Sequence, residues 1–292
     1  MREHAAIEVR DAATVMLVRN APALQVFMLL RNLRSEFVGG AFVFPGGAVD
    51  PGDREAHLEP ECAGRTDAEA SAALGVARGG LAFWVAAIRE CFEEAGVLLA
   101  CHAETGEIVD FSDPNVAARF EVHRAAVDAG ERRLIDVARE EHLVLDVAST
   151  FYFSHWITPV GAPRRYDTRF FVAAAPPNQT PLPDNREAVD SVWIEPSEAL
   201  ALAERGEMEM IFPTIKSLEA IARFSTAEEL LDAAQAIDEV PTILPRITAD
   251  SHGMRILLPG DLGYDAVIDP PEGSITDLPR PVPSAIRGSS DA

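Results

Sequence analysis

The stretch that most constrains this chain is AAIRECFEEAGVLLA, residues 86–100, in which three glutamates fall within five residues. At about 100° per residue, a helix here would place its apolar side chains on one side and Glu90, Glu93 and Glu94 on the other. Gly96 is suited to end that helix, because glycine adopts the left-handed C-cap conformation without strain. The pattern predicts a helix with a carboxylate face, and a fold that buries the opposite face.

The carboxylate face is unfavourable in isolation. Glu90 and Glu94 are like charges at i,i+4, which costs roughly 0.2–0.5 kcal/mol. They also lie in the last turns of the helix, where the helix dipole favours cations. The face is either a solvated acidic surface or a site for divalent cations such as Mg²⁺ or Mn²⁺, which bind carboxylate oxygens and remove the repulsion. The spacing alone leaves both interpretations open.

The segment GGAFVFPGG, residues 39–47, precedes this helix. Its glycines and proline predict a short strand that runs into a tight turn, where backbone can approach a ligand closely. Runs of β-branched and aromatic residues predict strands at 13–20, 24–31, 149–159, 167–176 and 188–196, and helices are expected at 196–206, 213–224 and 226–237. The mixture predicts an α/β or α+β class with one main domain.

Residues 89–97, RECFEEAGV, follow the order R-E-U-x-E-E-x-G-U, in which U is a hydrophobic residue. With FPGG upstream, this resembles the signature of the Nudix hydrolases, G-x5-E-x7-R-E-U-x-E-E-x-G-U, known as the Nudix box. The C-terminal half of the box matches at every fixed position. The resemblance implies the Nudix α/β/α sandwich with a mixed sheet, and it favours the metal-site interpretation of the glutamates.

The first half of the box departs from the signature in two ways. Gly47 and Arg89 are 42 positions apart, 28 more than the signature has, so residues 54–80 are interpreted as an insertion. The residue six positions after Gly47 is Asp53, where the signature has Glu. Both features resemble the coenzyme A-type Nudix hydrolases, and the long insertion is similar to that of the subgroup whose animal members are peroxisomal coenzyme A diphosphatases.

Segments downstream of the helix also resemble that subgroup, so the resemblance spans roughly residues 10–225. They are HWITP at 155–159, RRYDTRFFVA at 164–173, VWIEPSEAL at 192–200 and IFPTIKSL at 211–218. We expect a Nudix domain at 10–240 that contains extra helices at 114–143. The remaining residues, 241–292, are expected to form a C-terminal extension with a small hairpin and an end that is flexible after about residue 270.

The resemblance implies roles for the residues of the box. Glu93 and Glu94 would be metal ligands, and Glu90 would be either a ligand or the base that deprotonates water. The carbonyl of Gly46 would add a ligand. Arg89 would orient the glutamates by a salt bridge, and at i,i+4 it can reach Glu93.

Residues outside the box complete the predicted site. Glu187, in the loop before the strand at 188–196, is the candidate for a further ligand or base, and an exposed loop acid is its equal alternative. Five arginines are candidates for contacts with substrate phosphates, which guanidinium groups bind through paired hydrogen bonds, although each could also be an ordinary surface residue. They are Arg31, Arg34, Arg164, Arg165 and Arg169.

The implied activity is metal-dependent hydrolysis of a diphosphate in a nucleoside-diphosphate derivative. Coenzyme A or an acyl-CoA is the favoured substrate, and (acyl-)phosphopantetheine and adenosine 3′,5′-bisphosphate are the products. Hydrolysis of ADP-ribose, NADH or a dinucleoside polyphosphate is the enzymatic alternative. A catalytically silent, nucleotide-binding sensor is the alternative of another class, and the intact glutamates argue against it.

Composition limits the partners. The formal charge is −22, from 47 acidic and 25 basic residues, which argues against binding to nucleic acid or to an anionic membrane. Three cysteines without metal-ligand spacing fit a reducing compartment. The first residues have no apolar signal core, and no run of 18 apolar residues exists. We expect a cytoplasmic protein with a small-molecule nucleotide as its partner, and a homodimer is left open.

Overall fold

The computed structural model of the chain describes residues 7–33, 39–54, 58–184, 186–250 and 253–275. Its strands are β1 (Val9–Asn20), β2 (Leu24–Arg31), β3 (Phe42–Val43), β4 (Gly46–Ala48), β5 (Ala100–His102), β6 (Leu143–Leu145), β7 (Thr150–Ile157), β8 (Arg165–Ala174), β9 (Ala188–Ile194), β10 (Thr242–Ile243), β11 (Arg246–Asp250) and β12 (Gly253–Leu257). Its α-helices are α1 (Asp67–Leu74), α2 (Leu81–Ala95), α3 (Pro114–Asp128), α4 (Leu134–Glu140), α5 (Pro196–Glu204), α6 (Phe212–Ile221) and α7 (Ala227–Gln235).

The main sheet has eight strands and is mixed, as the sequence predicts. Its order is β10-β7-β8-β1-β2-β3, with β4 paired to β1 and β9 paired to β2. The β1–β8 and β10–β7 pairs are parallel, and the other pairs are antiparallel. The long parallel pair of β1 and β8 forms the centre of the sheet.

Side chains that alternate along the strands bury both faces of the sheet. On β1, Val15 and Leu17 face a core shared with α2, whereas Met16 and Val18 face a second core shared with α5, α6 and α7. Because neighbouring residues of a strand point to opposite faces, a strand that is apolar throughout predicts helices on both sides. The predicted α/β/α sandwich is confirmed.

The sheet opens between β1 and β2, and this opening positions the glycine-rich turn. The two strands pair only from Val18 to Asn20 on β1. Beyond that point β4 pairs with the first half of β1, and β3 pairs with the second half of β2. The turn between β3 and β4 crosses the gap, where the Val15 N–H donates to the Pro45 carbonyl at 2.9 Å. Gly46 and Gly47 therefore lie beneath α2, which packs on β1 and β4.

The two additions to the basic sandwich lie against α2. The insertion at 54–80 includes α1, whose start has a capping box made by Thr66 and Glu69. The helical addition at 114–143 consists of α3, which packs on α2, followed by α4. The pair β5–β6 forms a separate two-stranded sheet in the same region. Both additions thus sit on the face of the main sheet that carries the carboxylate helix.

The last part of the chain is more closely joined to the sandwich than the sequence suggests. β10 lies beyond the expected boundary at residue 240, yet it pairs with β7 as an edge strand of the main sheet. The expected hairpin is present as β11 and β12. Near its end, Glu272 pairs with Arg165 at 3.1 Å, and the Ile275 N–H donates to the Gly161 carbonyl at 2.9 Å. The residues after 275 lie outside the described part, and the division into domain and extension stays a prediction.

Within the described residues, none of the helices combines the length and apolar character needed to cross a membrane. The longest ones, α2 and α3, have 15 residues each, which at 1.5 Å per residue spans about 22 Å. A bilayer core of roughly 30 Å needs about 20 apolar residues.

Candidate active site

The carboxylate face of α2 is buried, not solvated. The helix runs over Leu81–Ala95 and ends at Gly96, which has a φ of 67° and forms the expected left-handed C-cap. Arg89 and Glu94 are only 8% and 6% exposed. Charged groups are rarely buried unless they are paired or coordinate a metal. The alternative of a solvated acidic surface is therefore wrong.

Arg89 joins two of the glutamates. Its Nη1 lies 2.8 Å from Glu93 Oε2 and 2.9 Å from Glu90 Oε1. The i,i+4 salt bridge to Glu93 that was expected from the sequence is therefore present. Arg89 Nη2 also donates to the Ala48 carbonyl at 2.8 Å, which ties the helix to β4. The guanidinium group thus fixes both carboxylates relative to the glycine-rich turn.

The same arginine is held from its other side by Asp53. Arg89 Nε lies 3.0 Å from Asp53 Oδ1, and Nη2 lies 3.0 Å from Oδ2, a bidentate pair. Asp53 is 3% exposed and also accepts from the Asp50 N–H at 2.8 Å. In the sequence, Asp53 is noted as a departure from the Nudix signature that resembles the coenzyme A-type members, and it is not among the predicted site residues. The signal that could have identified it is Arg89 itself, because a buried guanidinium needs carboxylate partners.

Two glycines let the strand approach the glutamates. A Cβ added at Gly47 would lie 2.4 Å from Glu90 Oε1, so no larger residue fits without moving that carboxylate. A Cβ added at Gly46 would lie 2.4 Å from Thr14 Oγ1. The Gly46 N–H donates to Glu94 Oε2 at 2.9 Å. The observed contact of Gly46 with the site is through its amide, and ligation by its carbonyl stays a prediction.

Arg31 and Glu187 reach the glutamates from neighbouring strands. Arg31 ends β2 and lies opposite Ala188, the residue after Glu187. Its Nη2 is 3.1 Å from Glu187 Oε2, and its Nη1 is 3.9 Å from Glu94 Oε1. The Glu187 side chain is 61% exposed, so it lies on the open side of the site. The tertiary structure therefore brings both of these predicted residues next to Glu94.

The remaining predicted substrate arginines have other surroundings. Arg165 donates to the Thr158 carbonyl and pairs with Glu272. Arg169 is buried, pairs with Asp167 and lies over the Phe83 ring, 4.8 Å from its centroid. Both guanidinium groups thus form ion pairs within the protein. Two further arginines complete this set, with Arg164 exposed just before β8 and Arg34 outside the described residues.

Burial and mutual repulsion raise the pKa of each glutamate. Burial raises the pKa of Glu90 to about 8 and the pKa of Glu93 to about 7, although the positive charge of Arg89 acts in the opposite direction. The pKa of Glu94 lies well above its ordinary value because of burial and the charge of Glu90. Burial alone would lower the pKa of Arg89, but Glu90, Asp53 and Glu93 together raise it. Without a cation, burial thus favours the neutral, protonated form of these three carboxyl groups.

This donor set fits a hard divalent cation. Carboxylate oxygens on one rigid helix suit Mg²⁺ or Mn²⁺, and a bound cation would favour the charged form of glutamates whose pKa values are raised mainly by burial. The absence of a Cβ at Gly47 leaves the room that the Glu90 carboxylate occupies. Glu90, Glu93 and Glu94 are the residues that would hold such an ion.

Within the described residues, the group of possible ligands whose atoms all lie close together is a different one, on α3 and at the end of α4. His123, Glu140 and Glu141 bring ligand atoms within 4.8 Å of one another. Arg132 already donates to His123 Nδ1 at 3.0 Å and pairs with Glu140 at 2.6 Å. His123 Nε2 lies 3.0 Å from Glu141 Oε1, where Arg119 also donates. Both ring nitrogens are therefore used, and the group is an ion-pair network.

The comparisons with known proteins agree with this geometry. The family described as the NUDT19 Nudix domain matches residues 65–221. The acyl-coenzyme A diphosphatase NUDT19 of Gallus gallus is 30% identical over 304 residues, covering 87% of this chain and 79% of that protein. The protein of the same name from Homo sapiens is 28% identical over 275 residues, covering 84% and 73%.

A solved structure supports the same assignment at the level of the fold. The crystal structure of a NUDIX hydrolase from Alicyclobacillus acidocaldarius superposes with a TM-score of 0.64 at 25% identity, covering 78% of this chain and 97% of that one. The matched family segment contains the whole of α2 with its glutamates, the additional helices α3 and α4, and Glu187. The chain belongs to the Nudix hydrolases, in the family of the NUDT19 Nudix domain.

Proposed function

We propose that this Nudix enzyme hydrolyses the diphosphate of coenzyme A or an acyl-CoA, giving (acyl-)phosphopantetheine and adenosine 3′,5′-bisphosphate. The observation that carries the proposal is the largely buried cluster of Glu90, Glu93 and Glu94, in which Arg89 pairs with the first two and Arg31 lies 3.9 Å from the third. The choice of substrate is supported by the names of the Gallus gallus and Homo sapiens relatives, both acyl-coenzyme A diphosphatases.

The residues of the site divide the work of hydrolysis. Glu93 and Glu94 would offer carboxylate oxygens to one or more divalent cations. Arg89 with Asp53 holds the Glu93 carboxylate, and the Gly46 N–H holds that of Glu94. When bound, Mg²⁺ or Mn²⁺ would neutralise the diphosphate and make water easier to deprotonate. Arg31, which in this structure contacts Glu94 and Glu187, is placed to donate to a phosphate oxygen of the substrate.

Two carboxylates are placed to accept the proton from the attacking water. Glu187 is exposed and shares the partner Arg31 with Glu94, and we assign its open side as the entrance for the substrate. Glu90 is buried against Gly47, and without a cation its pKa is raised to about 8 by burial. A base works best with a pKa near the working pH. The pH profiles of kcat for Glu187→Gln and Glu90→Gln separate the two, because replacing the base removes the acidic limb of the profile.

The proposal includes the setting of the enzyme. We assign it Mg²⁺ or Mn²⁺ as the cofactor, a small-molecule nucleotide as the partner and a cytoplasmic location. The free cysteines Cys62, Cys91 and Cys101 support a reducing compartment. The net charge of −22 disfavours nucleic acid or an anionic membrane as a partner. A homodimer stays a prediction.

Product analysis tests the reaction. Purified protein is incubated with coenzyme A, acetyl-CoA, ADP-ribose, NADH or diadenosine polyphosphate, each with Mg²⁺, Mn²⁺ or EDTA. We expect adenosine 3′,5′-bisphosphate from the two CoA substrates, dependent on the metal. A preference for ADP-ribose or a dinucleotide would retain the mechanism and overturn the substrate. Silence on every substrate would favour a nucleotide-binding role.

A pair of glutamate variants tests the site itself. Glu93→Gln keeps the size of the side chain but removes the charge of a proposed ligand, and we expect kcat to fall by about 100-fold, the lower end for loss of one electrostatic contact in an active site. Glu140→Gln removes a charge from the ion-pair network at the end of α4 and serves as the control. Full turnover by Glu93→Gln would refute its assignment as a ligand.

A further inference from the structure

The C-terminal carbonyls of α2 all accept hydrogen bonds, and two of them accept from a single side chain of another helix. The last carbonyls of a helix have no partner within it and must be satisfied from outside. Those of Cys91 and Phe92 accept from the backbone of Val97 and Gly96 at 3.4 and 3.0 Å. The next two carbonyls belong to Glu93 and Glu94, the proposed metal ligands. Their partners determine how firmly that end of the helix is held.

Arg124 of α3 supplies both of these partners. Its Nε donates to the Glu93 carbonyl at 2.9 Å, and its Nη2 donates to the Glu94 carbonyl at 3.2 Å. The side chain is 8% exposed and packs over the C-cap, where a Cβ at Gly96 would lie 2.8 Å from its Nη1. A cation at this position also suits the negative end of the helix dipole. Arg124 thus caps the helix from the addition at 114–143.

The same guanidinium group holds the segment that leads to Glu187. Arg124 Nη2 also donates to the Leu182 carbonyl at 2.9 Å. The Leu182 N–H in turn donates to the Ala95 carbonyl, also at 2.9 Å. Farther along, Arg186 pairs with Asp128, the last residue of α3. One side chain therefore connects the backbone of two ligand residues with the segment that carries Glu187 to the site.

The N-terminus of α2 is held in a different way and provides a comparison. The Asp67 carboxylate, from the insertion at 54–80, accepts from the Gly79 N–H at 2.9 Å and from the Leu81 N–H at 3.1 Å. This cap lies about 18 Å from Glu93 along the helix, at 1.5 Å per residue. Both ends of α2 are thus capped by residues from additions to the sandwich, but only the C-terminal cap touches the proposed ligands.

We infer that Arg124 is a positioning residue, which holds the backbone of Glu93 and Glu94 and the segment leading to Glu187 as one unit. The effect of Arg124 on turnover rests on the proposed function, but the test of the inference measures metal binding and does not depend on that function. Groups that orient metal ligands typically affect metal affinity by 10- to 100-fold when they are removed. A neutral or shorter side chain at position 124 could not donate to three carbonyls at once.

The experiment measures binding of Mn²⁺ alone to the substrate-free protein by electron paramagnetic resonance, together with hydrogen exchange. Arg124→Gln is compared with Asp67→Ala, which removes the cap at the other end of the same helix. Melting temperatures identify the loss of stability in each variant. Arg124→Lys retains a charge with fewer donors, and it replaces Arg124→Gln if that variant fails to fold.

We expect Arg124→Gln to weaken Mn²⁺ binding by about tenfold, and Arg124→Lys to lie between it and the parent protein. Exchange should accelerate in peptides covering residues 91–98 and 179–184. Asp67→Ala should lower the melting temperature while leaving Mn²⁺ affinity within about twofold and accelerating exchange only near the start of α2. Unchanged Mn²⁺ affinity in the Arg124 variants, or an equal loss in Asp67→Ala, would overturn the inference.

This readout separates two possible failures. If the parent protein binds Mn²⁺ but hydrolyses no CoA substrate, the proposed substrate is wrong. The positioning role is then still decided by the Mn²⁺ affinities of the variants. If the parent protein hydrolyses CoA and Arg124→Gln binds Mn²⁺ normally, the function stands and the positioning role is wrong.

Discussion

Asp53 and Arg89 form a bidentate ion pair across a separation of 36 residues, with both distances at 3.0 Å. The insertion at 54–80 lies between them in the sequence, and its segment 58–80 contacts the start of α2 through Asp67. The third nitrogen of the guanidinium group, Arg89 Nη1, contacts Glu90 and Glu93. This pair therefore joins the two halves of the Nudix box across the insertion.

Asp53→Asn should destabilise the protein and disorder the site. Removing one partner of a buried ion pair leaves the other charge without compensation, and we expect a loss of about 3 kcal/mol in the free energy of unfolding, measured in urea. The control is Asp11→Asn, whose partner Arg54 is equally exposed at 38% and which should cost less than about 1 kcal/mol. Equal costs in the two variants would contradict the special role of Asp53.

Gly47→Ala should impair catalysis more than stability. The added Cβ would lie 2.4 Å from Glu90 Oε1 and must displace that carboxylate, so we expect kcat to fall at least about tenfold, since a misplacement of 1 Å in an active site can cost 100-fold. Gly52→Ala is the matched control, because its Cβ would lie 3.5 Å from Arg133 Cγ, an ordinary contact. Steady-state kinetics and melting temperatures of both variants provide the measurement.

Arg31→Gln should raise KM for the diphosphate substrate by roughly tenfold or more. A hydrogen bond to a charged group contributes about 1.5–3 kcal/mol, and this side chain is the described arginine that reaches both Glu94 and Glu187. Arg205→Gln, which removes an exposed partner of Glu207, should leave KM unchanged. If the effect of Arg31→Gln appeared in stability alone, Arg31 would be a structural counter-ion of the two glutamates.

The metal-free protein should become less stable as the pH rises from about 5 to about 8. The pKa values of Glu90 and Glu93 are raised by burial to about 8 and about 7, so the folded state keeps protons that the unfolded chain releases near its ordinary value of 4.5. Because the folded state binds more protons in this window, the free energy of unfolding falls with pH, by up to about 1.4 kcal/mol per unit for each proton.

Urea denaturation in EDTA at several pH values measures this slope. Saturating Mn²⁺ should remove it, because binding of the ion requires the carboxylate form and stabilises the folded state further. The double variant Glu90→Gln, Glu93→Gln should show a smaller slope in EDTA than the parent protein. A metal-free protein whose stability rises over the same interval would contradict the buried state of these glutamates.

The local pattern of the chain determined the main elements. Runs of β-branched and apolar residues predicted β2 and the part of β1 from residue 13, and Gly96 predicted where α2 ends. These features are readable because helix and strand periodicities are properties of neighbouring residues. The Nudix signature in RECFEEAG then predicted the site on that helix, since ligand residues on one rigid element keep a fixed spacing.

What only the tertiary structure decided are the contacts between residues far apart in the chain. The sequence could not distinguish Arg31, which ends beside Glu94, from Arg169, which is buried with Asp167, because each is simply an arginine on a strand. Nor could it identify Arg124, whose partners are backbone carbonyls and leave no mark in composition or periodicity. Such contacts depend on how the strands pair and the helices pack, and packing is set by the whole chain at once.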